Sequence, residues 1–274
     1  MSNAEMSRPL TGDGRRFLSL AGQIWFMGAL AGQAVFIAFI LTFYGSRTAT
    51  GNFAAWNDKE LIVGHVPGDG IGNLMFAVHV LLAAYVTLGG LFQLIPTLRR
   101  RFPTAHRWNG RAFTATAIFM ALGGIWMTWV RGSHLSVISG LSVSLNGVLI
   151  LVFAGLALRF AMQRRIDSHR RWAMRTFMVV SGVWFFRVFL MAWIVLNQGP
   201  VGMNSTLSGP ADIALSVGSY LIPLAGLELY FAAQDSSSGT VKRATGGLVL
   251  CLTALMAIGI FGATAFMWFP QGSS

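Results

Sequence analysis

Long apolar runs recur along the chain, each closed by a short polar segment. A helix needs about 20 apolar residues to cross the hydrocarbon core of a bilayer. Seven stretches reach that length, near 17–44, 72–97, 108–131, 138–162, 173–197, 211–233 and 246–269. The first is too long for the apolar region of a signal peptide and ends in Phe43-Tyr44 without a small-residue cleavage site. The pattern therefore predicts an all-α integral membrane protein, a seven-helix transmembrane bundle. It divides into a cytoplasmic arm (1–16), one transmembrane domain (17–270) and a short outer tail (271–274).

Composition supports this and narrows it. Of 274 residues, 54% are hydrophobic and only 11% charged, about half the charge of a soluble domain. The 32 glycines and 21 phenylalanines suit helices packed against lipid and one another. Gly246-Gly247, Gly259 and Gly262 would let the seventh span approach a neighbour closely. A single cysteine, Cys251, lies within that span, which excludes an internal disulfide and a cysteine-ligated iron–sulfur cluster.

Net charge is +11, from 20 basic and 9 acidic residues. If the N-terminus is cytoplasmic, 16 of the 20 basic residues fall on the cytoplasmic side. Three fall outside (Arg47, Lys59, Arg131), and Arg187 lies within a span. This asymmetry predicts an N-terminus inside and, with seven spans, a C-terminus outside. It also removes nucleic acid as a partner, because the basic residues flank helices and form no nucleic-acid-binding motif. The expected location is a bacterial inner membrane, with the lipid bilayer as the certain partner.

The longest outer segment, about 45–71, holds Asp58, Glu60, His65 and a glycine-rich run from Gly64 to Gly72. No strand precedes that run, so it reads as a turn-rich loop and not as a dinucleotide site. His65 and the nearby carboxylates lack metal-ligand spacing. Soluble-enzyme signatures such as a nucleophile elbow, His-Glu-x-x-His or a phosphate-binding loop are absent.

The most informative feature is an approximate repeat. One copy reads Ala105-His106-Arg107-Trp108-Asn109-Gly110-Arg111-Ala112-Phe113, the other Ser168-His169-Arg170-Arg171-Trp172-Ala173-Met174-Arg175-Thr176-Phe177. Aligning Trp108 with Trp172 pairs Arg111 with Arg175 and Phe113 with Phe177. Arg107 with Arg111, and Arg171 with Arg175, stand four apart and share a helix face. Spans two and three thus form one hairpin, spans four and five a related one.

Here the chain resembles a family of bacterial multi-pass membrane proteins defined only as a domain of unknown function. The likeness covers about 72–197 and rests on His79, Gln93, His106-Arg107-Trp108, Gly110-Arg111, His169-Arg170-Arg171-Trp172, Arg175 and Arg187. It implies a membrane fold and no particular activity.

Two imidazoles at one depth, His106 and His169, suit the six-coordinate iron of haem b, with apolar walls for the ring and cations for the propionates. Trp108, Trp172, Phe113 and Phe177 would supply the walls, and Arg107, Arg111, Arg171 and Arg175 the cations. In this respect the arrangement is similar to di-haem transmembrane cytochromes b, which implies electron transfer, a membrane oxidoreductase component, a quinone, and a redox partner or larger membrane complex. His79 is the candidate outer ligand. The fourth span has no histidine, and His134 is the only nearby partner for it.

A second reading stands beside the first. Trp and Arg at a cytoplasmic helix start also anchor a helix at the headgroup level. The protein would then be a non-redox accessory subunit, or a small-molecule- or lipid-binding transporter component. Four further polar groups need partners at depth, besides Gln93. Arg187 is expected to pair with Asp212, Glu228 with Arg111 or Arg175, and His79 with Asn146 or a backbone carbonyl.

Overall fold

The computed structural model describes residues 11–59 and 63–269, so most of the expected arm, Arg8, Glu60 and the expected outer tail lie outside the described residues. Among those described there is no strand. The elements are α1 (Thr11–Phe39), α2 (Ser46–Ala49), α3 (Gly70–Leu94), α4 (Pro96–Arg101), α5 (Pro103–Trp129), α6 (Val137–Met162), α7 (Ile166–Val180), α8 (Gly182–Asn197), α9 (Pro210–Asp235) and α10 (Gly239–Gly262). π-helical turns at Ile40–Gly45 and Ala263–Trp268 extend α1 and α10.

Among the described residues, six helices are long and apolar enough to cross a bilayer. The seventh expected span is α7 with α8, bent by 53° at Ser181. Helices are favoured at this depth because they satisfy their own backbone groups. Their ends are closed as sequence chemistry dictates. Asp69 caps α3 by accepting from the Gly72 N–H, Ser136 and Ser139 form a reciprocal cap on α6, and Pro occupies the first position of α4, α5 and α9. Lys242, wholly buried, donates to the carbonyls of Ala233, Gln234 and Ser236 and so closes the C-terminal end of α9.

The helices form two groups. In the first, α5 packs on α3 and α6, α6 on α7, and α7 returns to α3, so α5 and α7 stand at diagonal corners. The second holds α1, α8, α9 and α10, joined to the first through α1–α3, α6–α9 and α7–α9. The last two spans therefore close the bundle within the chain. Glycines allow the tightest crossings. A Cβ at Gly259 would overlap the Val188 carbonyl oxygen of α8, and one at Gly246 would lie 2.7 Å from the Phe17 ring of α1. Gly247 faces open space. The largest apolar core gathers aromatic side chains of α1, α3, α8 and the two π-helical turns, including Phe36, Phe39, Tyr44, Phe76, Trp184 and Trp268.

At the end opposite the arginine clusters, the segment between α2 and α3 is held by Arg131. Its guanidinium contacts Asp69 at 2.8 Å, the Gly64 carbonyl at 3.0 Å and Asn73 at 2.9 Å. This guanidinium, with the Gly72 N–H, holds the Asp69 carboxyl below the usual carboxylate range. His65 contributes only backbone groups, both to Asn57.

Two outcomes follow. Gly259→Ala lowers thermal stability in detergent by about 1–3 kcal/mol through forced separation of α8 and α10. Gly155→Ala, where a Cβ meets nothing within 4 Å, leaves stability unchanged or raises it slightly. The second concerns pH. Because the folded state lowers the Asp69 pKa, its contribution is complete above the unfolded value near 3.9 and is lost as pH falls through the lower folded value. Asp69→Asn removes this acid limb from the profile of unfolding midpoint against pH.

Candidate functional site

The repeat read in the sequence is also a repeat in space. His106 and His169 are each the fourth residue of their helix, α5 and α7. About two turns further in, the paired Phe113 and Phe177 converge on a single point of α3: a Cβ at Gly90 would lie 3.0 Å from both rings. In each copy an arginine stacks on the tryptophan three residues before it. Arg111 lies 5.0 Å from the Trp108 ring centre and Arg175 4.5 Å from that of Trp172.

The two copies differ in what surrounds them. Arg175 forms a two-pronged ion pair with Glu228 of α9, at 2.6 and 2.7 Å. Arg171, one turn earlier, holds Asp235 at 2.6 and 2.8 Å. Between the two carboxylates lies Phe231, with both guanidinium groups over its ring. Glu228, Phe231 and Asp235 share one face of α9 by their spacing. The sequence expectation of an Arg175 or Arg111 partner for Glu228 is met by Arg175. The Arg171–Asp235 pair was missed, although Glu228 and Asp235, seven apart, share a face of α9 as Arg171 and Arg175 share one of α7. In the other copy, Trp108 is 64% exposed and Arg111 is exposed with no carboxylate among the described residues. Arg107 reaches only the Thr104 hydroxyl. Trp172 instead packs on Phe153 of α6.

The histidines lie across the diagonal. His169 Nδ1 donates to the Ala157 carbonyl of α6 at 2.9 Å, which fixes the ring and leaves Nε2 outside that contact. His106 lies within electrostatic reach of His169 and of Arg99. Its Nδ1 is buried and has no partner. The backbone around it is fastened to α3, since Gln93 donates to the His106 carbonyl at 3.1 Å and Asn109 to the Gly89 carbonyl at 2.9 Å. Asn109 is a positioning residue that the sequence reading passed over.

Other expected partners do not meet. His79 faces Gly123 and Gly124 of α5, and its buried Nδ1 has no partner. Asn146 lies instead beside Gly182, at the α7–α8 break, with its own Oδ1 unpaired. His134 is bound to the Thr128 carbonyl and packed on Trp129, so no second imidazole is set opposite His79. The expected Arg187–Asp212 pair is not formed. Asp212 turns back on its own helix start, accepting from the Asn204 and Gly209 N–H groups. Arg187 is carried by the bend in α8 towards Phe36 of α1, whose ring centre is 5.5 Å away.

The comparisons with known proteins agree with this core. A family described as Predicted membrane protein (DUF2306) matches residues 76–221, more than half of the chain. The chain belongs to that family. Comparison with curated proteins and with solved structures found no match. The DUF2306 region contains both histidine-bearing helix starts, the diagonal α5–α7 pair and Arg187, and omits α1 and α10.

The Arg175–Glu228 pair gives a direct test of what binds the first helix group to α9. Arg175 is mostly buried and Glu228 about half exposed, so solvent screening reduces its worth. Arg175→Gln is expected to lower detergent-state stability by about 1–2 kcal/mol. A double-mutant cycle with Glu228→Gln should return a coupling of about 1 kcal/mol, read from unfolding midpoints.

Proposed function

We propose that this DUF2306 protein is an inner-membrane electron-transfer protein that holds one haem b at its arginine-rich end, with His106 and His169 as axial ligands. The observation that carries the reading is the placement of these two imidazoles. They stand at equal depth on diagonal helices, one oriented through Nδ1 by a carbonyl and the other with a buried, unpartnered nitrogen.

The residues present fit such a group in kind. A histidine whose Nδ1 donates to a backbone carbonyl offers Nε2 to a metal. Phe113 and Phe177 close the apolar space about two turns deeper. Arg99, Arg107 and Arg111 remain without carboxylates among the described residues and are the cations for propionates. Arg171 and Arg175, expected in that role, are committed to Asp235 and Glu228. Trp108 is too exposed to be a wall and belongs to the membrane interface. The surroundings of His79 favour one haem over two.

Bound haem b would supply a one-electron iron couple. The chain's own part is to fix the ligand rings through Ala157 and through the Gln93 contact to the His106 backbone. Apolar α3 and α6 keep water away, and the arginines balance acidic groups. An electron carrier of this kind needs a donor and an acceptor in or beside the bilayer, and a quinone has the right solubility. The arginine excess at this end supports a cytoplasmic orientation.

One observation favours the second reading, a non-redox accessory or transporter subunit. Arg171 and Arg175 act as structural partners of α9, and the exposed Arg111–Trp108 stack has the make-up of a lipid-headgroup anchor.

Absorption spectroscopy separates the two. Full-length protein purified after expression with ample haem is expected to show a Soret band with about one haem per chain. His106→Ala and His169→Ala should each abolish it, while His65→Ala and His79→Ala should retain it. A well-folded wild-type protein without a Soret band establishes the non-redox reading.

A further inference from the structure

Arg187 presents a problem that neither reading solves. It lies in a span and is only partly exposed. A guanidinium has five N–H donors. Among the described residues, its only hydrogen bond runs from Nη1 to the Val183 carbonyl of its own helix, at 3.1 Å. No carboxylate among the described residues pairs with it. The elements packed around it supply aromatic groups: Phe36 from α1, Tyr44 from the first π-helical turn, and through Phe36 the ring of Trp268 from the second, 5.3 Å away. A charge at membrane depth without a counter-charge is costly, and a face-on aromatic ring offsets only part of that cost.

The neighbours are also donors without acceptors. Trp184, three residues before Arg187 on the same helix face, and Trp268 are both buried with unpartnered indole N–H groups. An environment of one cation and several idle donors is matched to a ligand that only accepts hydrogen bonds and brings negative charge. Two π-helical turns converge on this end of the bundle, and such turns recur at functional sites in other helices. Nearer the surface, Lys59 stands over the Phe39 and Phe43 rings and Arg47 over Phe43. Arg47 is paired with Asp58, which leaves Lys59 as the cation here without a carboxylate among the described residues.

We propose that Arg187 is the centre of an anion site in the half of the bundle away from the arginine clusters. Its ligand is a monovalent anion, either a small inorganic ion or the carboxylate of an apolar molecule, received by Arg187 with the Trp184 and Trp268 indoles. This site is independent of His106 and His169, and its test does not depend on haem.

The test uses full-length protein in detergent, with unfolding followed by tryptophan fluorescence. Sodium chloride and sodium benzoate are each titrated at ionic strength held constant with sodium sulfate. Wild type should show a saturable rise in unfolding midpoint. A response to benzoate alone identifies a carboxylate ligand, and a response to chloride alone an inorganic one. Arg187→Gln should abolish the rise, and Arg187→Lys, which keeps the charge without the planar fork, should weaken it at least tenfold in apparent affinity. Arg47→Gln should saturate at the same final midpoint as wild type. If Arg187→Gln does not fold, Trp184→Phe, which removes one donor and keeps an aromatic ring, serves in its place and should weaken the response. No saturable response to either anion, a response unchanged in Arg187→Gln or in the substitute Trp184→Phe, or stabilisation only by a neutral quinone overturns the proposal.

Discussion

Within a bilayer a polar side chain has no water to fall back on, so every such group must be answered by another part of the chain or by a ligand. This constraint organises the bundle. Gln33 is answered by Ser181 at the helix break, Ser142 by Tyr220 and Ser216, and Lys242 by three carbonyls of α9. Each of these contacts joins elements that hydrophobic packing alone would leave free to slide. Among the described residues, buried atoms without a partner include ring nitrogens of His106 and His79 and the Trp184 and Trp268 indoles, and also Gln33 Oε1, Asn146 Oδ1 and Asp212 Oδ1.

The repeated hairpin shows how one sequence device is put to two uses. Both copies stack an arginine on a tryptophan and send a phenylalanine to Gly90, which fixes α5 and α7 at the same depth. The second copy meets α9, and its arginines are neutralised there by Glu228 and Asp235. The first copy meets no acidic helix, so its arginines keep their charge. The asymmetry comes from the neighbours and not from the motif. A site between the copies therefore has a rigid, neutral wall on one side and a cationic, open one on the other.

Seven spans and their polar connections were legible because a bilayer demands a length of apolar helix that composition displays directly. The equal depth of His106 and His169 followed from the same logic, as did a partner for Glu228. What could not be read was direction around the helix axis. Arg187 and Asp212 share an end of the bundle, yet the bend at Ser181 rotates α8 so that Arg187 points to α1. Asp212, at the third position of a helix opened by Gly209-Pro210, has nearer donors in its own loop. His79 and Asn146 failed to meet for a related reason, since α3 and α6 occupy the other diagonal of the first helix group. Serine with glycine at 181–182 was the sole hint of the break, and that pair is common in unbroken helices.

The charge excess acquires a physical meaning once the pairs are counted out. Asp58, Asp69, Glu228 and Asp235 are each held by an arginine, and Asp212 by backbone N–H groups. Few carboxylates therefore remain to balance the cations of α4 and of the α6–α7 connection, where Arg99, Arg100, Arg101, Arg164 and Arg165 stand exposed. Lipid phosphate can balance those at the surface. It cannot reach a histidine nitrogen buried within the bundle. The cations at the rim and the polar groups in the interior thus pose different demands.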